Sequence, residues 1–150
     1  MNNKAFKNNK FVHINEYYPK LQNPQKYNGD RPITIRSSYE LRFCKWLDLN
    51  ESVVCWSSET LVIPYTFEGN PHRYYPDFVV ENKRGQKMMI EVKPSRQIKK
   101  PVRKKRKTKR YIYDCLTYVK NRCKWKAAKE YCDKNDMEFK FITENELKKY

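Results

Sequence analysis

The chain has 150 residues, 39% hydrophobic and 15% aromatic, enough for one domain with a real core. Lys and Arg number 33 against 17 Asp and Glu, a formal net charge of +16, and such a surplus seeks a polyanion, nucleic acid first and anionic lipid second. No apolar run approaches the ~20 residues of a membrane span, and the first twenty residues lack the apolar stretch of a secretory signal.

Residues 1–36, rich in Asn, Lys, Tyr and Pro, read as an N-terminal arm that packs on or extends from the core, with a short strand at 33-ITIR-36. Residues 37–150 read as a single domain. Its first helix follows Ser37 in 37-SSYELRFCKWLDLN-50, where Glu40, Phe43, Cys44 and Leu47 fall on one stripe. Glu40 therefore faces the sheet at the head of an apolar stripe. Ser37-x-x-Glu40 is also a capping-box pattern, in which Glu40 reaches back to the Ser37 N–H, and the two roles are compatible. The runs 52–56 and 59–67 read as strands, with Pro64 marking an edge or bend. Strands 72-HRYYPDFVV-80 and 87-KMMIEVK-93 flank a turn, and Pro94 ends the second. Residues 111–134 are helical, with a break near Asn121, 137–143 form a strand, and 144–150 a short helical tail. The last strand follows a helical crossover and should pair in parallel. The order of elements predicts an α/β fold, a central mixed sheet flanked by helices.

The five cysteines are odd in number and contain no C-x-x-C pair. They argue against a closed zinc site or a disulfide framework and read as free, mostly buried thiols in a reducing compartment.

The chemistry concentrates in 74-YYPDFVVENKRGQKMMIEVKP-94. Period-two alternation places Met89, Glu91 and Lys93 on one face of their strand and the apolar Met88, Ile90 and Val92 on the other. Over a continuous strand 72–80, Arg73, Tyr75, Asp77 and Val79 share a face opposite Tyr74, Phe78 and Val80. A three-residue loop Lys83-Arg84-Gly85, with Gly85 left-handed, pairs Asn82 with Gln86 and so sets Asp77 directly opposite Glu91. Opposed Cβ atoms lie ~4.5–5.5 Å apart, and two carboxylates that close repel. Lys93, one pleat further on, neutralises only part of that charge. A divalent cation held by both carboxylates and the Val92 carbonyl resolves the conflict, with Mg²⁺ or Mn²⁺ suited to hard oxygen ligands. The ordinary alternative is an exposed hairpin face carrying cross-strand Asp–Lys or Glu–Lys pairs.

Residues 96–110 add a second feature. They hold Arg96, Lys99, Lys100, Arg103, Lys104, Lys105, Arg106, Lys107, Lys109 and Arg110 and no acid. The run leaves the strand that carries Glu91 and Lys93, so its position favours contact with a nucleic-acid backbone over a merely solvated helix start. Other residues rank lower. Tyr74 and Tyr75 suit stacking on bases or packing against a helix. Trp125, Ala128 and Cys132 form a core stripe, Trp46 and Trp56 read as core, His72 as surface, and Glu59 as an assisting acid or an exposed ion pair.

Pro76-Asp77, then Glu91-Val92-Lys93, with Glu40 upstream on a helix, resembles the PD-(D/E)xK nuclease superfamily. The segments 36–50, 55–65, 73–94 and 124–144 sharpen this: across residues 30–145 the chain resembles the head-completion nucleases of T-even-like tailed bacteriophages. More distantly it is similar to the endonuclease subunit of heteromeric transposases. The resemblance implies a restriction-endonuclease-like core and metal-dependent hydrolysis of double-stranded DNA. Asp77 and Glu91 match the metal ligands, Lys93 the catalytic lysine, and Glu40 the auxiliary acid that helps with a second ion or orients water. The resemblance further implies action after DNA packaging in the bacterial host cytoplasm, contact with portal or head-completion proteins, and retention in the virion head as an open question. Homodimerisation, common among such nucleases, is a further expectation. Competing readings are a non-catalytic DNA-end or portal-binding head protein, disfavoured because no motif acid is lost, and a transposase cleavage subunit.

Overall fold

The structure is a computed structural model, and it describes residues 12–13, by their backbone alone, and residues 20–149. Residues 1–11 and 14–19 of the expected N-terminal arm, and Tyr150 of the expected tail, lie outside the described residues. The elements in chain order are strands β1 (Val12–His13) and β2 (Thr34–Ile35), helix α1 (Ser38–Leu49), strands β3 (Val53–Ser58), β4 (Ile63–Phe67), β5 (Asn70–Tyr74), β6 (Phe78–Asn82) and β7 (Lys87–Val92), helices α2 (Ser95–Ile98) and α3 (Lys109–Lys134), strand β8 (Met137–Ile142) and helix α4 (Glu144–Leu147). A 3₁₀ turn, Pro24–Lys26, precedes β2.

The central sheet has the order β3-β6-β7-β8. Strands β3, β6 and β7 are antiparallel neighbours, and β8 joins β7 in parallel after the α3 crossover. The mixed sheet flanked by helices is the α/β architecture the element order implies. Among the described residues strands β4 and β5 pair only with each other, and the ribbon they form packs against α3.

Two apolar layers hold the sheet. On one face Phe43, Cys44 and Leu47 of α1 pack with Trp56, Phe78, Val80, Ile90 and Val92. Fully burying a side chain of this size contributes roughly 1.5–3 kcal/mol. Leu21, Ile33 and Ile35 join this cluster, so part of the segment preceding α1 is core. Asp48 of α1 fixes that segment by accepting the backbone N–H groups of Gln22 and Asn23, both at 2.8 Å. On the other face Met89 packs with Trp125, Ala128 and Cys132 of α3 and with Ile63, Tyr65 and Tyr74 of the ribbon.

Two expectations need correction. The expected strand 72–80 is two strands in two different sheets, separated by Tyr75-Pro76-Asp77. Pro76 supplies no N–H to a ladder and restricts the residue before it, so the chain leaves one sheet and enters the next at this point. The parity of the two pieces is therefore uncoupled: Tyr74 and Phe78, expected on one face, pack in opposite layers. The second correction concerns α3, which runs unbroken through Asn121. Asparagine costs less than about 0.7 kcal/mol relative to alanine in a helix, and Asn121 is buried, so packing overrides that cost. All five cysteines are free; Cys44 and Cys132 are buried and the other three half-buried. Among the described residues no helix is long and apolar enough to cross a membrane.

Candidate active site

The β6–β7 hairpin sets the site. Gly85 has φ +77°, a conformation a side chain disfavours, and the Asn82 N–H donates to the Gln86 carbonyl at 3.0 Å. Phe78 pairs with Ile90 and Val79 with Met89. One further step brings Asp77, at the end of β6, opposite Glu91, the register the loop implies. The Val92 N–H donates to Asp77 Oδ2 at 2.8 Å. Glu91 is buried; Lys93 Nζ lies 3.4 Å from its Oε1, and the Tyr74 hydroxyl donates to its Oε2. Tyr74 is a site residue that sequence parity misses, because the kink at Pro76 turns it toward Glu91. The proline was the available signal.

Glu40 enters from α1. It is buried, and its amide donates to the N-cap Ser37 Oγ at 3.1 Å. Its carboxylate accepts the Arg36 N–H at 2.9 Å rather than that of Ser37, so the reciprocal capping-box bond is displaced by one residue. Glu59 is the fourth acid. It has φ +50°, its N–H donates to the Asp77 carbonyl at 3.1 Å, and its carboxylate pairs with Arg36 at 2.9 Å. The pair joins a largely buried Glu59 side chain, 13% exposed, to an Arg36 side chain that is 48% exposed, so its outer end faces solvent as an exposed ion pair would.

Asp77, Glu40 and Glu59 sit where they resist ionisation. Burial, then the neighbouring Glu91 and Glu40, push the Asp77 carboxyl well above the usual carboxylate range; the Val92 N–H and Lys93 oppose this only in part. Burial raises Glu40, with Glu59 adding to it against the Arg36 and Ser37 hydrogen bonds. Burial also raises Glu59, partly offset by Arg36. Structural carboxylates are normally paired until such conflict disappears, whereas unrelieved like charge marks a functional site.

The donor set fits a hard divalent cation. Asp77 is held by Oδ2 alone, and Oδ1 has no hydrogen bond among the described residues. Among the described residues no three His, Cys, Asp or Glu side chains form a ready-made cage. Mg²⁺ is commonly held by one or two carboxylates, with waters and substrate phosphate completing the octahedron, and that is what Asp77, Glu91 and the neighbouring Val92 carbonyl offer.

The basic run begins three residues after Lys93 in the chain. Arg96 is in α2, Lys99 through Lys107 follow in an irregular segment, and Lys109 and Arg110 open α3. All ten basic side chains are exposed. Arg110 is tied to Asp114 at 3.1 Å one turn on.

Residues 50–144 match the family model described as the TnsA-like endonuclease N terminal domain. A head completion nuclease of Enterobacteria phage T4 is 38% identical over 134 residues, which cover 85% of this chain and 89% of that protein. With paired carboxylates, a lysine and a family match that spans all three, the chain belongs to the TnsA-like endonuclease family.

Proposed function

We propose that the protein is a Mg²⁺-dependent DNA endonuclease, with Mn²⁺ as a substitute ion, and that it acts in phage head completion as the name of its T4 relative suggests. The observation that carries the catalytic reading is the register of β6 and β7, which opposes Asp77 to Glu91 with Lys93 Nζ 3.4 Å from Glu91. Asp77 and Glu91 would hold the cation, with the Val92 carbonyl as a further protein ligand, and Glu40 would serve as the auxiliary acid. When bound, the ion supplies positive charge against the phosphate and acidifies water. Lys93 positions the attacking water and offsets charge building on phosphate oxygen. Tyr74 fixes the Glu91 carboxylate and Val92 fixes that of Asp77, so neither must reorganise during reaction. Water adds to phosphorus, the P–O bond to the leaving sugar oxygen breaks, and that oxygen takes up a proton.

The basic run from Arg96 to Arg110 holds the DNA backbone without reading sequence. Supercoiled plasmid incubated with Mg²⁺ tests the proposal. Wild-type protein nicks or linearises it, whereas Asp77→Ala and Lys93→Ala do not. Equal cleavage by all three overturns the assignment.

A further inference from the structure

On the same face of the sheet as Glu91, α3 brings up a second lysine. Trp125 is buried and packs edge-on against Phe141, ring centroids 4.8 Å apart, and Phe141 is the β8 partner of Glu91. This contact fixes the height of α3 relative to the site. One residue before Trp125, Lys124 is half-buried, with Nζ 5.9 Å from the centroid of the Tyr74 ring. Tyr74 is the residue whose hydroxyl holds Glu91. Lys120, one turn earlier on α3, places its Nζ 6.0 Å from the Phe67 ring, so the two ammoniums follow the seam between α3 and the β4–β5 ribbon.

A half-buried ammonium loses hydration and normally recovers it from a carboxylate. Among the described residues Lys124 makes no ion pair within 4 Å, unlike Lys93. An aromatic face within about 6 Å supplies part of the compensation. Burial and the nearby Lys93 and Lys120 lower its pKa, against the opposing pull of Glu91 and Asp77. A cation held short of neutralisation beside two carboxylates suits an anion that arrives with the substrate.

We propose that Lys124 contacts the phosphate undergoing cleavage, as a second cation beside Lys93, and that the Tyr74 ring is the shelf that holds its ammonium in place. Lys120 then meets the next phosphate along the seam. This deepens the endonuclease reading and rests on it. Lys124 makes no bond to the reacting atoms beyond a charge-assisted hydrogen bond to a phosphate oxygen, which strengthens as that oxygen gains charge.

The test uses the full chain, with Lys124→Met, Lys124→Arg and Asp77→Ala. Binding of a labelled duplex is measured in EDTA across salt concentrations, and single-turnover cleavage is measured with Mg²⁺ at saturating DNA. Each lost phosphate contact flattens the slope of log K against log salt by about 0.9. We expect K124M to flatten the slope by that amount and to slow cleavage about 10- to 100-fold, while K124R restores the slope and most of the rate. A wild-type slope or a wild-type rate in K124M overturns the proposal, as does K124R as impaired as K124M. Lys124→Gln carries the same criteria should K124M lose its cooperative melt. Asp77→Ala separates the two claims: if it cleaves like wild type the endonuclease site itself is misplaced, and if it is dead while K124M is normal only the role of Lys124 fails.

Discussion

Two carboxylates flank the end of β7 and receive opposite treatment. Glu144, first residue of α4, accepts both the backbone N–H and the hydroxyl of Ser95, and these bonds pull its pKa down to about 2. Asp77, whose partner comes three residues earlier in the chain than Ser95, accepts one N–H from Val92 but faces Glu91 and Glu40, and its carboxyl is pushed well above the ordinary range. Asp77 ties its segment to Val92 at the end of β7, and Glu144 ties α4 to Ser95 at the start of α2. One is satisfied by donors alone; the other has donors too few for its charge. The contrast separates an acid that holds the fold from an acid kept for chemistry.

Removing the frustrated acid should have the largest effect on catalysis and removing the satisfied one the least. Asp77→Ala or Lys93→Ala lowers plasmid cleavage by at least about 10²- to 10³-fold, the scale of losing a positioned charge in a reaction centre; a loss below tenfold erases the distinction. Neutralising Lys104, Lys105, Arg106 and Lys107 together lowers DNA affinity and flattens the salt slope by up to about 3.6, at about 0.9 per phosphate contact. An unchanged slope moves the footprint off the basic run.

Stability sharpens the comparison because the two acids have opposite signs. A carboxyl whose folded pKa is raised contributes stability below the unfolded value of about 3.9 for Asp, and that contribution is lost as pH rises through the folded pKa. At neutral pH Asp77 is therefore destabilising. Asp77→Asn, which keeps an acceptor for the Val92 N–H, should raise neutral-pH stability by about 0.5–2 kcal/mol while abolishing cleavage; a lowered melting temperature contradicts this. Glu144 has its folded pKa depressed, so its contribution is present above the unfolded value of about 4.3 and is lost as pH falls toward about 2. Glu144→Gln should lower the melting temperature slightly at pH 7, and the difference should close in that acid window.

Much of the site was legible because local geometry determined it. Gly85 and the loop length fix the hairpin register, and the register fixes Asp77 against Glu91. The helical stripe of Glu40, Phe43, Cys44 and Leu47 likewise orients α1. What escaped depends on a kink or on distant chain. Pro76 splits an apparent strand, which reverses Tyr74 relative to Phe78 and creates its hydrogen bond to Glu91. Glu59 joins the acids through a positive φ that no residue type advertises. Lys124 is brought in by a helix that begins at the end of the basic run, and nothing in a lysine-rich stretch distinguishes it from Lys126 or Lys129.

The central claim is that one divalent ion lies between Asp77 and Glu91. Anomalous diffraction from a Mn²⁺-soaked crystal tests it most directly. The account predicts a peak within about 2.1 Å of an oxygen from each carboxylate, with Lys93 Nζ still beside Glu91. No peak there, with Lys93 instead bridging the two carboxylates, would contradict it.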